Sequence, residues 1–130
     1  AAFDEGMQKS EELRNLISQL DENHMDKDLA VLYEQAQDMF DADKKLFQRF
    51  TTKDEQNILK NCQKALKKNR SAAQKVEKQI EKLDPDNVTT KAAKTVQKAW
   101  DAYWKLTDAQ RTFVDNLLYE KLEQCYNNLP

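Results

Sequence analysis

The residues of this chain with the most chemistry to offer are one histidine, two cysteines and two tryptophans one helical turn apart. His24 stands alone in the polar run Asp21-Glu22-Asn23-His24, without the second base or ligand that acid–base catalysis or a histidine metal site requires. Acidic residues are abundant, yet they form neither a Glu-x-x-His pair of the di-iron kind nor a calcium loop with its central glycine. The single glycine, Gly6, leaves no glycine-rich cradle for a phosphate. This inventory predicts a non-catalytic protein that carries no cofactor and no metal.

Cys62 and Cys125 each sit between leucines at helical spacing, as Leu59-Cys62-Leu66 and Leu122-Cys125-Leu129. That setting reads as two free thiols buried as small core residues rather than as a disulfide. Trp100 and Trp104 are different, because an indole offers a flat apolar face and one hydrogen-bond donor, which suits a protein groove or a sugar ring. They are the leading partner-binding candidates, with Lys105 and Lys98 placed to frame them. A basic face is the second candidate surface: Lys60, Lys64, Lys67, Lys68, Arg70, Lys75 and Lys78 outnumber the neighbouring Glu77 and Glu81. It would suit an anionic partner, but no aromatic residue is interleaved to stack on bases, so nucleic acid is not favoured.

The elements that hold these residues follow from composition. One Gly and two Pro in 130 residues, with 34% charged residues, favour helix and leave little room for a sheet. The net charge of −2 conceals an asymmetry, since residues 1–63 carry 14 acids against 8 bases and residues 64–130 carry 9 against 13. Neither half is charged enough to imply nucleic acid. No apolar run approaches the roughly 20 residues needed to cross a bilayer. The start Ala1-Ala2-Phe3 would suit a mature end left by a signal peptidase, which permits export without requiring it. A secreted, periplasmic or cell-surface location is the expectation, on the resemblance described below, and a cytoplasmic one the alternative.

Sliding the sequence against itself by 63 positions aligns ten identities across residues 17–66 without a gap, among them Ile17 with Ile80, Leu20 with Leu83, Ala36 with Ala99, Leu59 with Leu122 and Cys62 with Cys125. Most are apolar, so the chain reads as two copies of one helical unit, 1–66 and 67–130. In each copy a first helix ends near Leu20 or Leu83, at the turns Asp21–His24 and Asp84–Asn87. A second helix follows, marked by Leu29, Leu32, Tyr33, Ala36 and Phe40 or by Ala92, Val96, Ala99 and Tyr103. Thr107 with Gln110 fits a capping box, and Thr51 with Asp54 or Thr52 with Glu55 fits one more loosely. From about 52 to 83 no breaker intervenes, and Leu59, Cys62, Leu66, Asn69, Ala73, Val76, Ile80 and Leu83 recur as a heptad seam. The expected fold is therefore all-α: two tandem three-helix bundles sharing a long connecting helix, in the manner of spectrin-like rods. A single compact four- or five-helix bundle is the alternative.

The repeat also provides an internal control for the tryptophans. Where copy two has Trp100 and Trp104, copy one has Gln37 and Asp41, residues that prefer solvent. At least one indole is thus surplus to the common core.

Val96, Ala99, Ala102-Tyr103, Leu106-Thr107, Gln110, Val114, Asn116 and Leu122, preceded by Ile80 and Leu83, carry a family resemblance. This stretch of copy two resembles a helical module repeated in large cell-surface proteins and surface glycosidases of Gram-positive bacteria. Copy one keeps the core positions but has Asp43-Lys44 where Leu106-Thr107 would stand. The resemblance implies an extracellular, non-catalytic spacer or adhesion module. A shorter likeness, Gln97-Lys98-Ala99-Trp100 with Tyr103, is to small periplasmic lysozyme inhibitors, although the cysteine those proteins carry after the tyrosine is absent.

Together these features predict a helical binding or spacer module of an exported or cell-surface protein that recognises a protein or glycan, with self-association as a further use of the same surfaces. An intracellular adaptor pairing its heptad seam with another helix is one alternative. A carrier of a hydrophobic small molecule is the other.

Overall fold

A computed structural model describes residues 2–130. Among the described residues every regular element is helical, in the order α1 (Ala2–Ser18), a 3-10 turn at Glu22–His24, α2 (Lys27–Ala42), α3 (Lys44–Phe50), α4 (Lys53–Glu81), a 3-10 turn at Pro85–Asn87, α5 (Thr90–Lys105), α6 (Asp108–Arg111) and α7 (Asn116–Asn127). The chain divides into two compact units, Ala1–Lys67 and Lys68–Pro130, and α4 contributes residues to both. No helix of the described residues is long and apolar enough to cross a membrane.

In the first unit α1, α2 and α3 pack on one another. Leu13, Ile17, Met25, Ala30, Tyr33, Ala36 and Phe47 are buried, and so are Leu59, Cys62 and Leu66 of α4. The chain's one glycine is used where α1 approaches α3: a Cβ on Gly6 would lie 3.0 Å from a methyl group of Leu46. Its carbonyl accepts a 2.7 Å hydrogen bond from the Ser10 hydroxyl, which satisfies that buried polar side chain. The turn after α1 is organised by Asp21, which accepts from the Asn23 backbone N–H at 2.9 Å and lies 2.7 Å from Nδ1 of His24. The hydrogen bonds with His24 and Asn23 hold its carboxyl below the usual carboxylate range.

Asp26, Asp43 and Thr52 start the remaining helices of this unit. Asp26 accepts from the Leu29 N–H and Asp43 from the Leu46 N–H. The capping box at α4 uses the second of the two registers open in the sequence: Thr52 Oγ1 accepts from the Glu55 N–H at 3.0 Å, and Glu55 accepts from the Thr52 N–H at 2.9 Å. Glu55 also takes a forked pair of bonds from Nε of Arg14 at 2.9 and 3.0 Å, so one carboxylate both caps α4 and ties it to α1. Burial alone would raise its pKa, but the Thr52 and Arg14 hydrogen bonds outweigh burial and lower it.

A depressed folded pKa means that this stabilisation is present above the unfolded value near 4.3 and is lost as pH falls through the folded value. Glu55→Gln should therefore lower stability at pH 7 by about 1–2 kcal/mol. The gap to the parent should close as both are acidified below pH ~4. Urea denaturation at several pH values checks this; a gap that does not narrow in acid would mean that the carboxylate charge contributes nothing.

The second unit is built from the rest of α4 with α5, α6 and α7. Ala73, Val76, Ile80, Leu83, Val96, Ala99, Tyr103, Val114, Leu122 and Cys125 form one buried cluster. α7 packs against α5 and against the 3-10 turn at Pro85–Asn87. Polar contacts close the turn: Lys121 donates to the Glu81 carbonyl at 3.0 Å, and the Asn128 amide donates to the Pro85 carbonyl at 3.0 Å. The capping box at α6 is complete, with Thr107 and Gln110 bonding reciprocally.

The helix beginning at that box stops after four residues, a break absent from the sequence reading. Backbone bonds shorten to i→i+3 spacing at Thr112, Phe113 and Val114. Asp115 then caps α7 by accepting from the Leu117 N–H at 2.8 Å, while its own N–H donates to Glu77 of α4 at 3.3 Å. Two β-branched residues flanking Phe113 and a strong N-cap residue immediately after them favour ending one helix and starting another. α3 is likewise a short helix preceding the box at Thr52, in a stretch where the sequence reading placed none.

The heptad seam of α4 is occupied within the chain. Leu59, Cys62 and Leu66 are buried in the first unit, and Ala73, Val76 and Ile80 in the second. Asn69, between the two groups, is half-buried and accepts from the Gln110 amide at 3.2 Å. Cys62 and Cys125 are free and fully buried, in different units. Burial, reinforced by the nearby acids Glu22 and Asp21, pushes the Cys62 thiol up to about 11. Burial raises Cys125 as well. Both are therefore thiols rather than thiolates at neutral pH.

Candidate functional site

Five aromatic side chains meet where α5 packs on α7: Trp100, Tyr103 and Trp104 from α5, with Tyr119 and Tyr126 from α7. The 3.6-residue period decides their roles. Tyr103 follows Val96 and Ala99 along the buried stripe of α5, while Trp100 and Trp104 lie one and two steps further round, at its margin. Trp100 is half-buried and stacks on Tyr126, with ring centroids 3.9 Å apart and planes within 10°. Trp104 is 48% exposed. It meets Tyr103 edge-on at 5.1 Å and Tyr119 edge-on at 6.4 Å, and Tyr103 in turn stacks on Tyr119 at 4.8 Å.

A cation completes the group. Cζ of Arg111 lies 5.2 Å from the Trp104 ring centroid, and the guanidinium also donates to the Leu106 carbonyl and pairs with Asp108. The turn from α5 into α6 thus carries a planar cation back over the half-exposed indole. Burial raises the pKa of the Tyr103 hydroxyl, partly opposed by Arg111. Burial and the neighbouring Glu123 raise that of Tyr119. Both phenols stay neutral at physiological pH. The result is an apolar ring surface edged by hydrogen-bonding groups.

Of the residues singled out in the sequence, Trp100 and Trp104 come together at 5.8 Å, but they differ in role. One is wedged against α7 and the other faces solvent. Lys98 does not join them: with Gln79, Lys82 and Thr95 it lines a shallow groove of about 250 Å³ between α4 and α5. Lys105 is exposed at the end of α5, and the cation over the indole is Arg111. Arg111 went unnoticed in the sequence because it is seven residues from Trp104, across a turn, where helical spacing conveys nothing. Tyr119 and Tyr126 were equally unmarked, although they are seven apart and share one face of α7.

The basic residues of α4 are all exposed: Lys60, Lys64 and Lys67 in the first unit, and Lys68, Arg70, Lys75 and Lys78 in the second. Arg70 lies over the Phe113 ring, 5.7 Å from its centroid, so one member of the set also covers the core. His24 is exposed and engaged with Asp21. Among the described residues no cluster of three or more His, Cys, Asp or Glu is placed to hold a metal ion.

Compared with known proteins, the chain matches no family model, no curated protein and no solved structure.

Proposed function

We propose that this chain is a non-catalytic helical binding module, made of two successive copies of one helical unit, whose aromatic face on α5 and α7 takes a protein or glycan partner. The observation that carries this is Trp104: a large indole held half-exposed among Tyr103, Tyr119 and Arg111, at a position where the first copy has Asp41. Leaving so much apolar surface in water forgoes roughly 1–2 kcal/mol of burial, a sacrifice that a partner-binding role accounts for.

The duplication draws support from matching burial at the 63-residue offset. Ile17 and Ile80, Ala36 and Ala99, Leu59 and Leu122, and Cys62 and Cys125 are buried in both halves. Matching caps add to it: Asp21 with Asp84, Asp26 with Thr89, and Thr52 with Asp115 each begin a helix or 3-10 turn. An exported or cell-surface setting remains the reading that the likeness to Gram-positive surface modules implies. The adaptor alternative is weaker, because the seam it would offer to a foreign helix is covered by the chain's own helices.

Trp104→Asp, which introduces the residue of the first copy, tests the contact surface. It should cost about 1 kcal/mol of stability, from the lost cation–π contact and an acid in the last turn of α5. Binding to the best ligand found on an array of purified glycans and displayed peptides should fall at least about 30-fold, as for a hot-spot indole. Unchanged binding by a folded Trp104→Asp protein would remove the aromatic face from consideration.

A further inference from the structure

The first unit contains a groove of about 340 Å³ where α2, α3 and α4 meet, on elements separate from the aromatic face. Four of the side chains lining it are primary amides: Gln37, Gln48, Gln56 and Gln63. Phe40 and Leu59 supply its apolar surface, and the Phe40 ring is held by stacking on Phe47 at 6.3 Å. We propose that this groove is a second binding site, for one or two rings of a neutral or N-acetylated sugar.

Three observations lead there. The first is that the fold does not require the groove to be open or polar. At the 63-residue offset Gln37, Gln56 and Gln63 correspond to Trp100, Tyr119 and Tyr126, and in the second unit Trp100 stacks directly on Tyr126. Amides have been kept in one unit at positions where the other holds packed aromatic rings.

The second observation is that the amides are partly prearranged and partly unspent. Gln37 Nε2 donates to Asp41 at 3.0 Å, and Gln56 Nε2 donates to Thr51 Oγ1 at 3.1 Å, which fixes those two groups. The side chains of Gln48 and Gln63 make no hydrogen bond within the protein among the described residues, so both retain a donor and an acceptor for a ligand.

The third is charge. Asp41 lies 3.9 Å from Lys44, which leaves the groove dominated by uncharged groups, with Lys60 at its edge. Amides that donate and accept, beside one fixed aromatic face, match the hydroxyl and acetamido groups and the C–H faces of a sugar. A phosphate or nucleotide would call instead for several converging cations or backbone N–H groups. The volume lies near the lower end of the range for small-molecule sites, about 300–1,000 Å³, which suits one or two rings.

The test is an NMR titration of the intact chain with glucose, galactose, N-acetylglucosamine and its β-1,4-linked disaccharide, each to about 10 mM. The side-chain NH₂ signals of Gln48 and Gln63 should shift for at least one of these sugars. Gln63→Ala and Gln48→Ala, both exposed positions that the fold tolerates, should each weaken the interaction about tenfold, one polar contact being worth roughly that. Gln63→Tyr should abolish it by filling the groove. Trp104→Asp should leave the titration unchanged, so failure of the aromatic face and failure of the groove give different results. Silence of the groove amides toward every sugar tested overturns the proposal. Equal affinity in Gln63→Ala does so too.

Discussion

Ile80→Ala should lower the unfolding free energy by about 3–4 kcal/mol, the usual cost of removing a large aliphatic side chain from a site that cannot collapse. Ile80 is completely buried, in the half of α4 that packs with α5 and α7, among Val76, Leu83, Val96 and Leu122. Deleting three carbons there leaves a cavity bounded by helices whose spacing the other contacts hold fixed. Domains of this size are stable by only about 5–15 kcal/mol, so the loss is a large fraction of the total. Ile17, which corresponds to Ile80 at the repeat offset, is 2% exposed, and Ile17→Ala should cost a similar amount. Urea denaturation at constant m-value measures both. A cost below about 1 kcal/mol for Ile80→Ala would mean that this half of α4 lies outside the core, while a large difference between the two mutants would weaken the case for two copies of one unit.

Trp100→Gln should destabilise the second unit by about 2–3 kcal/mol, even though glutamine is the residue found 63 positions earlier, at Gln37. The magnitude falls short of that for a fully buried indole because Trp100 is half-buried. What is lost is the close stack on Tyr126, together with the contact area between α5 and α7. For a unit of this size the midpoint of thermal unfolding should drop by roughly 8 °C or more. Trp104→Asp should move it by half of that or less, because Trp104 faces solvent. Melting curves of the two variants therefore separate a structural indole from a contact indole. If the order of the two effects were reversed, Trp104 would be the residue holding α5 to α7 and the proposed contact surface would have to be abandoned.

The Gln37/Trp100 contrast is what the proposed duplication would give if two copies of one unit diverged at the edge of a common stripe. The apolar stripe of α2 and α5, Tyr33-Ala36 and Val96-Ala99, is buried in both units. Positions at the edge of that stripe contact the next helix only through long side chains, so they accept either polar or aromatic residues. In the first unit these edge positions line an open groove, and in the second they form a layer of rings. Two surfaces of opposite chemistry thus arise on one helical framework.

The sequence by itself determined that the chain is helical and marked much of its core, such as Ile17, Ala36, Leu59, Cys62, Val96 and Leu122, because both follow from local properties. The buried Met25 and Phe47 escaped it, and Leu20, Phe40 and Phe50 are only half-buried. Scarce glycine and proline, apolar residues at steps of three and four, and Asp or Thr before the helical runs that follow α1 act within one or two turns of chain. The uninterrupted run through α4 and the box at Thr107–Gln110 were legible for the same reason. The ends of short helices were not. The stop at Thr112–Val114 combines local preferences with the Asp115 N–H donating to Glu77 across the unit, and α3 packs on α1 and α2, contacts that helical spacing does not report. Nor could spacing along the chain separate Trp100 from Trp104: both lie at the margin of the buried stripe, and only the position of α7 put Tyr126 beneath one and left the other in solvent. The placement of Arg111 over the exposed indole, and the meeting of four glutamines from three helices in one groove, were likewise decided by tertiary structure, since residues distant in sequence become neighbours only when helices pack.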